Sequence, residues 1–272
     1  MIEIEGIKLG GNNPFVLIAG PCVVESEEIT LSTADTIKAI TGKLGIPYIF
    51  KSSYKKANRT SINSFSGIGD EEAINILGKV KESLSLPLLT DVHNTEEIKK
   101  IHSVADVLQI PAFLSRQTEL LVEAGKSGKA INIKKGQFLA PEDMKHAIEK
   151  VESTGNKKIM LTERGTTFGY HNLVVDMRSL VIMHDFGYPV VMDATHSVQL
   201  PANQNVTGGQ PQFIKPLAKA AAAIGIDALF IEVHPDPPNA LSDSASQLAL
   251  NDLEKLLVEI KEIDAITKKY QD

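Results

Sequence analysis

Tryptophan is absent from the 272 residues, cysteine occurs once, and aromatic residues make up only 5% of the chain. With so few rings, the core has to be assembled from Ile, Leu, Val and Ala. A lone cysteine, Cys22, cannot close an internal disulfide, so the fold does not depend on an oxidising compartment. No apolar run approaches the roughly 18 residues that span a bilayer. The N-terminal stretch MIEIEGIKLGG puts acids where an export signal carries a basic start and an apolar run, so the expected location is the cytoplasm. Positive charge is in deficit too. Lys and Arg number 28 against 34 Asp and Glu, a net charge of −6, which excludes a protein that works mainly by gripping nucleic-acid phosphates. Low-complexity segments and linker-like Pro/Gly/Ser stretches are also missing, and a hydrophobic fraction of 43% excludes a disordered chain.

What the chain does have is a rhythm. Eight short apolar runs recur, each ending in polar residues and followed by a stretch with helical spacing: FVLIAGP (15–21), PYIFKSS (47–53), PLLTDVH (87–93), VLQIPAF (107–113), AINIKKGQF (130–138), KIMLTERG (158–165), PVVMDATH (189–196) and ALFIEVHP (228–235). Their apolar parts are continuous rather than alternating, which predicts strands buried on both faces of a parallel sheet. Between them, DEEAINILGKVKESL predicts a helix with Ile74, Leu77, Val80 and Leu84 on one stripe. Asn94 with Glu97 predicts a capped helix start, Pro141 a first helical turn, and Leu253, Leu256, Leu257, Ile260 and Ile263 a final helix. Eight such units in this length predict an α/β protein, a (β/α)8 TIM barrel of one domain over 1–272. Residues 1–13, turning at Glu5-Gly6, read as a short N-terminal β-hairpin that plugs the far end of a barrel over 14–272.

An open doubly wound sheet gathers ligand groups mainly at its switch point. Here every strand ends in chemistry-bearing residues: Cys22, Lys51, Asp91 and His93, Gln109, Lys134, Glu163 and Arg164, Asp193 and His196, Glu232 and His234. That pattern favours eight ends converging on one mouth. Three long connections, after the second, seventh and eighth strands, fall on the same rim, where lids and binding loops are found. Lys51, Lys55, Lys56, Arg59, Arg116, Lys134, Lys135 and Arg164 concentrate there in an acidic chain, a distribution that draws anionic, phosphorylated small molecules. Lys55 and Lys135 read as solvated surface charges. Lys51, Lys134 and Arg164 end apolar strands directly, where an idle charge is costly. Thiol, imidazole and carboxylates at Cys22, His196, Glu232 and Asp243 suit a divalent ion such as Zn, Fe or Mn, but no CxxC or HxxxH spacing supports a ligand set, and spacing alone leaves Cys22 a small buried hydrophobe. His93 and His234 are either substrate contacts or satisfied polar residues. His102, His146 and His184 read as surface residues. Thr207-Gly208-Gly209 lacks the lysine and the setting of a phosphate loop.

Taken together, IAGPC (18–22), FKSSYKKANRTS (50–61), TDVH (90–93), IPAFLSRQT (110–118), NIKKGQF (132–138), LTERGTTFGYHNLVVDMRS (161–179), DATHSVQLP (193–201) and FIEVHPDPPNALSD (230–243) closely resemble the 3-deoxy-D-manno-octulosonate 8-phosphate synthase family. The resemblance runs from about residue 14 to 265, and KANRT with ERGTTFGY is its most specific part. It implies condensation of phosphoenolpyruvate with arabinose 5-phosphate and water, with release of phosphate, in the making of the inner sugar of lipopolysaccharide. Cys after IAGP, and Ser242, Asp243 and Ser246 in an SDxxS pattern, resemble the metal-dependent branch, which implies Cys22, His196, Glu232 and Asp243 as ligands of a divalent ion. The resemblance implies phosphoenolpyruvate contacts at Lys51, Lys56, Gln109, Arg116, Lys134 and Arg164, aldose-phosphate contacts at Asn58, Arg59, Thr60 and Asp91, and catalytic roles for His196, Asp243, Lys56 and Asp91. It also implies a homotetramer in which rim residues of one subunit complete a neighbour's site. The chain departs from the pattern at Thr60 (usually Ser), Lys55 (usually Asp), Ser66 (usually Arg) and the uncharged segment GGQPQF. The related seven-carbon synthase acting on erythrose 4-phosphate, which carries a KPRT-type loop, and a non-catalytic sugar-phosphate-binding barrel are the alternatives.

Overall fold

The structure is a computed structural model that describes residues 1–59, 61–201 and 208–270; Thr60 and Thr207 lie outside them. Among the described residues, the eight predicted runs form eight parallel strands: β1 (Val16–Gly20), β2 (Tyr48–Lys51), β3 (Leu88–Asp91), β4 (Val107–Ile110), β5 (Ala130–Lys134), β6 (Ile159–Glu163), β7 (Val190–Asp193) and β8 (Ala228–His234). Each pairs with its sequence neighbour, β8 also pairs with β1, and the sheet is closed. The helices that follow are α1 (Glu27–Leu44), α2 (Asp70–Leu84), α3 (Thr95–Ile101), α4 (Thr118–Lys126), α5 (Met144–Glu152), α6 (Arg178–His184), α7 (Ile214–Ile224) and α8 (Leu250–Lys269). This is a (β/α)8 barrel.

Helix starts follow local chemistry. Asn94 Oδ1 accepts the Glu97 backbone N–H at 3.1 Å and caps α3. Pro141 opens a single 3₁₀ turn just before α5, where its missing donor costs nothing. In α2 the buried face is Ala73, Ile76, Leu77 and Val80, so Ile74 and Leu84 of the expected stripe sit at its half-buried edges.

The pleat explains how one wall serves two purposes. Successive strand residues point to opposite faces. Leu17, Phe50, Leu88 and Leu108 pack outward against the helices, while Ile18, Ile49, Leu89 and Val107 fill the barrel. Two residues after an inward hydrophobe the next inward side chain is polar: Ile49 leads to Lys51, Leu89 to Asp91, Val107 to Gln109, Val191 to Asp193. The interior is therefore apolar at one end and charged at the other. The hairpin Ile2–Ile4 with Ile7–Leu9 closes the apolar end. Its turn residues Glu5 and Gly6 both have positive φ (46° and 82°), as a two-residue hairpin turn requires, and Ile2, Ile4 and Leu9 join the interior cluster. At the charged end Gly20 lets β1 approach β2 closely, since a Cβ there would meet the Lys51 carbonyl oxygen at 2.0 Å.

Candidate active site

Phe230, on β8, divides the two ends. It belongs to the apolar interior cluster, yet Lys134 Nζ stands 3.8 Å and Lys51 Nζ 5.3 Å above its ring, in cation–π range. Over this floor a cavity opens, lined by Lys51, Ser53, Lys56, Asn58, Asp91, His93, Gln109, Lys134, Arg164 and His196 together with Phe113 and its neighbours. Residues spread over 145 positions of chain meet here because they all follow strands with a common direction.

The charges are arranged in buried pairs. Lys51 Nζ donates to Glu232 Oε1 at 2.5 Å and to the Cys22 carbonyl at 3.2 Å. Lys134 Nζ donates to Asp193 Oδ2 at 2.6 Å. Lys56 Nζ lies 3.7 Å from Glu232. Burial works against the Lys56 ammonium, but Glu232, Asp91 and Asp243 outweigh it and hold its pKa above the usual lysine range. Glu232 is held well below the usual carboxylate range: burial would raise it, and Lys51, His196 and Lys56 pull it down. Several polar atoms are buried with no partner among the described residues: Asp91 Oδ1, Ser53 Oγ, Arg164 Nη1 and Glu232 Oε2. Buried polar atoms are normally satisfied, so this concentration around one cavity is the signature of a site built for a polar ligand.

Behind the cavity, ligand atoms of Cys22, Glu232 and Asp243 all lie within 4.8 Å of one another. His196 stands beside the trio, with Nε2 3.7 Å from Glu232 Oε1 and 3.9 Å from Asp243 Oδ2. The set fits a divalent transition ion on three counts. It offers sulfur, nitrogen and oxygen donors. Glu232 Oε2 is uncommitted. And His196 Nδ1 faces Asp193 Oδ2 at 2.8 Å, which turns the Nε2 lone pair toward the acids in the carboxylate–histidine arrangement common at metal sites. Burial lowers the His196 pKa and favours the neutral imidazole. Without an ion, burial and the charges of Asp243 and Glu232 push the Cys22 thiol far above its ordinary range, and it donates to Ser242 Oγ at 3.1 Å. Asp243 adopts φ +48°, a strained setting that asparagine and aspartate tolerate better than most residues.

The structure corrects the reading of Lys135, Lys55 and His184 as surface residues and places Arg116 outside this chain's cavity. Arg116 does not line this chain's cavity: it is exposed, and its carbonyl accepts a hydrogen bond from Lys150 on α5, two residues past the short 3₁₀ turn Ala112–Leu114, whose Ala112 and Phe113 do line it. Lys135 is not a surface charge but wholly buried, 3.6 Å from Glu163. Lys55 and His184 are half-buried in ion pairs, Lys55 with Glu97 at 2.8 Å and His184 with Asp227 at 2.6 Å. Of the aldose-phosphate candidates, Asn58 and Asp91 line the cavity. Arg59 instead donates to Ser242 Oγ at 2.9 Å, 3.7 Å from Asp243. Asp193 received no role from the sequence, although the period-two pattern puts it inward after Val191. His234, left open by the sequence, is buried with Nε2 3.6 Å from Glu25.

His93 is resolved as a paired imidazolium. Its Nε2 is 2.9 Å from Asp91 and its Nδ1 3.0 Å from Glu97. Burial alone would lower its pKa, but these two hydrogen bonds prevail and raise it to about 9. A histidine raised on folding contributes stability in full below its unfolded pKa of about 6.5 and loses it as pH climbs through the folded value. Unfolding free energy is therefore expected to fall by roughly 3 kcal/mol from this pair between pH 6.5 and the alkaline side of 9, and His93→Gln to flatten that window in denaturant titrations. Identical pH slopes in parent and variant would refute the pairing.

A sequence model of the DAHP synthetase I family matches residues 1–269. The chain is similar to the 2-dehydro-3-deoxyphosphooctonate aldolase of Trichlorobacter lovleyi, 55% identical over 268 residues covering 98% of both chains. It is 55% identical to that of Geobacter metallireducens and 53% identical to that of Geobacter sulfurreducens, each over 268 residues and 98% of both chains. The resemblance carried by the strand-end motifs is thus borne out over nearly the whole length. With the family model matched over 1–269 and relatives at 53–55% identity along 98% of the chain, the chain belongs to the DAHP synthetase I family.

Proposed function

We propose that the chain acts as a 2-dehydro-3-deoxyphosphooctonate aldolase, a transferase that condenses phosphoenolpyruvate with D-arabinose 5-phosphate and water. The products are 3-deoxy-D-manno-octulosonate 8-phosphate, destined for lipopolysaccharide, and phosphate. The observation that carries the reading is the meeting of Lys51, Lys56, Lys134 and Arg164 in one cavity beside the Cys22–Glu232–Asp243 cluster. The name shared by relatives at 53–55% identity supports it.

Phosphoenolpyruvate carries a phosphate and a carboxylate. Arg164, with Nη1 uncommitted, suits a two-pronged contact with either. Lys56 adds a point charge with donors to spare, Lys51 and Lys134 each keep further ammonium donors, and Gln109 offers its amide. The aldose phosphate takes the side of Asn58 and Arg59, where Asp91 Oδ1 accepts a sugar hydroxyl; Thr60, outside the described residues, is a further candidate contact. Holding both substrates in register supplies several kcal/mol of the barrier reduction, of the order of 7–11 at best.

The methylene carbon of the enol attacks the aldehyde carbon, and the electron pair of the aldehyde double bond goes to its oxygen. Lys56, an ammonium ringed by carboxylates, neutralises that alkoxide and delivers the proton. Water adds to the former enol carbon, giving up a proton to the Asp243 and His196 side. The carbon–oxygen bond to phosphate then breaks to leave the ketone. A divalent ion (Zn, Fe or Mn) held by Cys22, Glu232 and Asp243 with His196 supplies Lewis acidity when bound.

We further read the assembly as a homotetramer in the cytoplasm. Phe113, Phe168 and Tyr170 on the rim are 55%, 70% and 95% exposed, apolar surface suited to another copy, and exposed Arg116, three residues after Phe113, would serve a neighbour's mouth. Among the described residues no helix is long and apolar enough to cross a membrane. The test incubates purified protein with phosphoenolpyruvate and either arabinose 5-phosphate or erythrose 4-phosphate, with and without chelator. Phosphate release and the eight-carbon product mass with the pentose phosphate alone are expected. Release only with the four-carbon sugar, or none under any metal, overturns the reading.

A further inference from the structure

We propose that Glu163 and Lys135, a buried pair behind the cavity, are positioning residues that aim Arg164; the inference rests on the proposed function and deepens it. Neighbouring residues at the strand ends face opposite ways. Lys134 and Arg164 line the cavity. Lys135 and Glu163, next to them in the chain, turn away from it and meet 3.6 Å apart with 0% and 1% side-chain exposure.

Each member of the pair holds a different part of the turn after β6. One carboxyl oxygen of Glu163, Oε1, accepts the backbone N–H of Arg164 at 3.0 Å and of Gly165 at 2.7 Å. Gly165 has φ +91°, a conformation open to glycine at little cost, so the turn that launches Arg164 is fixed from behind by a side chain. Lys135 Nζ donates to Thr166 Oγ1 at 2.8 Å and to the Leu139 carbonyl at 3.2 Å, tying the residue after that turn to the loop after β5. A sealed ion pair adds little net stability compared with apolar residues of the same volume. What this pair does supply is direction: the backbone carrying Arg164 is gripped at three consecutive residues.

Calorimetric titration with phosphoenolpyruvate and, separately, arabinose 5-phosphate tests it. The double variant Lys135→Met/Glu163→Met strands no buried charge but leaves the Arg164 and Gly165 N–H groups without their acceptor, so it is expected to fold with a lowered melting temperature. Its Kd for phosphoenolpyruvate is expected to rise roughly tenfold or more through misplacement of Arg164, with the Kd for arabinose 5-phosphate within about twofold of the parent's. Glu163→Gln keeps an acceptor oxygen for both N–H groups and is expected to retain phosphoenolpyruvate affinity within about threefold. Thr166→Val removes only the hydroxyl that Lys135 grips, is expected to weaken phosphoenolpyruvate about threefold, and reports on the pair whether or not the double variant folds. Unchanged phosphoenolpyruvate affinity in the double variant and in Thr166→Val, or equal loss for both substrates, overturns the positioning role while leaving the proposed function standing. A parent chain that binds no phosphoenolpyruvate overturns the function itself and the positioning role with it.

Discussion

Cys22→Ala is expected to abolish the turnover that a divalent ion restores to chelator-treated protein, a fall of roughly 100-fold or more, and to bring the metal content of the purified protein down to background. The thiol is wholly buried, so solvent exposure cannot explain a loss. Its nearest partners are Ser242 Oγ at 3.1 Å and the carboxylates of Glu232 and Asp243. In apolar surroundings a cysteine is a small hydrophobe, and Ala would cost only a methyl-sized void. Beside two carboxylates the same thiol resists ionisation, and a cation among the three groups reverses that balance by stabilising all three negative charges at once. Chelation and Cys22→Ala should therefore coincide: each lowers activity, and the variant gains nothing from added ion. Cys22→Asn exchanges the thiol for an amide that keeps a hydrogen bond to Ser242 but offers no thiolate. It is expected to lose the metal as Ala does while retaining part of its turnover without one. Full chelator-resistant activity in the parent protein, with no metal by elemental analysis, would overturn the metal assignment.

The sequence disclosed the barrel readily because a parallel sheet buried on both faces writes itself as eight continuous apolar runs, and every one of them became a strand. It disclosed the mouth because a parallel closed sheet sends all strand ends the same way. Residue types at those ends sufficed to single out Lys51, Lys134 and Arg164, whereas Cys22, His196 and Glu232 became a ligand set only through the family resemblance; all six are buried or nearly so. What the sequence concealed was which charges face each other. Lys134 and Lys135 are adjacent and chemically identical, yet one looks into the mouth and the other is sealed against Glu163; only the pleat tells them apart. Arg116 looked like a further mouth cation because it follows β4, but it lies past a 3₁₀ turn, exposed and outside this chain's cavity. Asp193 stands among the strand-end groups in the sequence but receives no role there, for the opposite reason. It contributes no donor to a phosphate and reads as one more strand-end polar group, so its importance is visible only once its partners are.

Those partners make Asp193→Asn the most informative single-atom change in the site. Oδ1 of Asp193 accepts the backbone N–H of His196 at 2.9 Å and of Thr195 at 3.2 Å, and the Thr195 hydroxyl at 3.1 Å. Oδ2 accepts Lys134 Nζ at 2.6 Å and faces His196 Nδ1 at 2.8 Å. The carboxylate is buried, which disfavours its charge, but His196 and Lys134 more than compensate and hold its pKa below the ordinary range. Asparagine can keep the Oδ1 contacts and preserve the turn. In place of Oδ2 it presents an amide NH₂, a donor set against the Lys134 ammonium, also a donor. It also reverses the His196 hydrogen bond: Nδ1 must accept, the proton moves to Nε2, and the lone pair no longer points toward Glu232 and Asp243. One change therefore disturbs a phosphoenolpyruvate cation and a metal ligand together. A loss of about 10–100-fold in metal affinity is expected, the range for partners that orient a ligating histidine, together with a comparable fall in kcat/KM for phosphoenolpyruvate and little change in the KM for arabinose 5-phosphate, whose candidate contacts Asn58 and Asp91 are not hydrogen-bonded to Asp193. Asp193→Ala removes the Oδ1 contacts as well and leaves Lys134 a buried, unpaired ammonium, so it is expected to unfold more easily by roughly 3–5 kcal/mol. The comparison decides between roles. If Asn matched the parent in metal affinity and kinetics while Ala only lowered the melting temperature, Asp193 would be a structural anchor of the turn and the tautomer argument would fail.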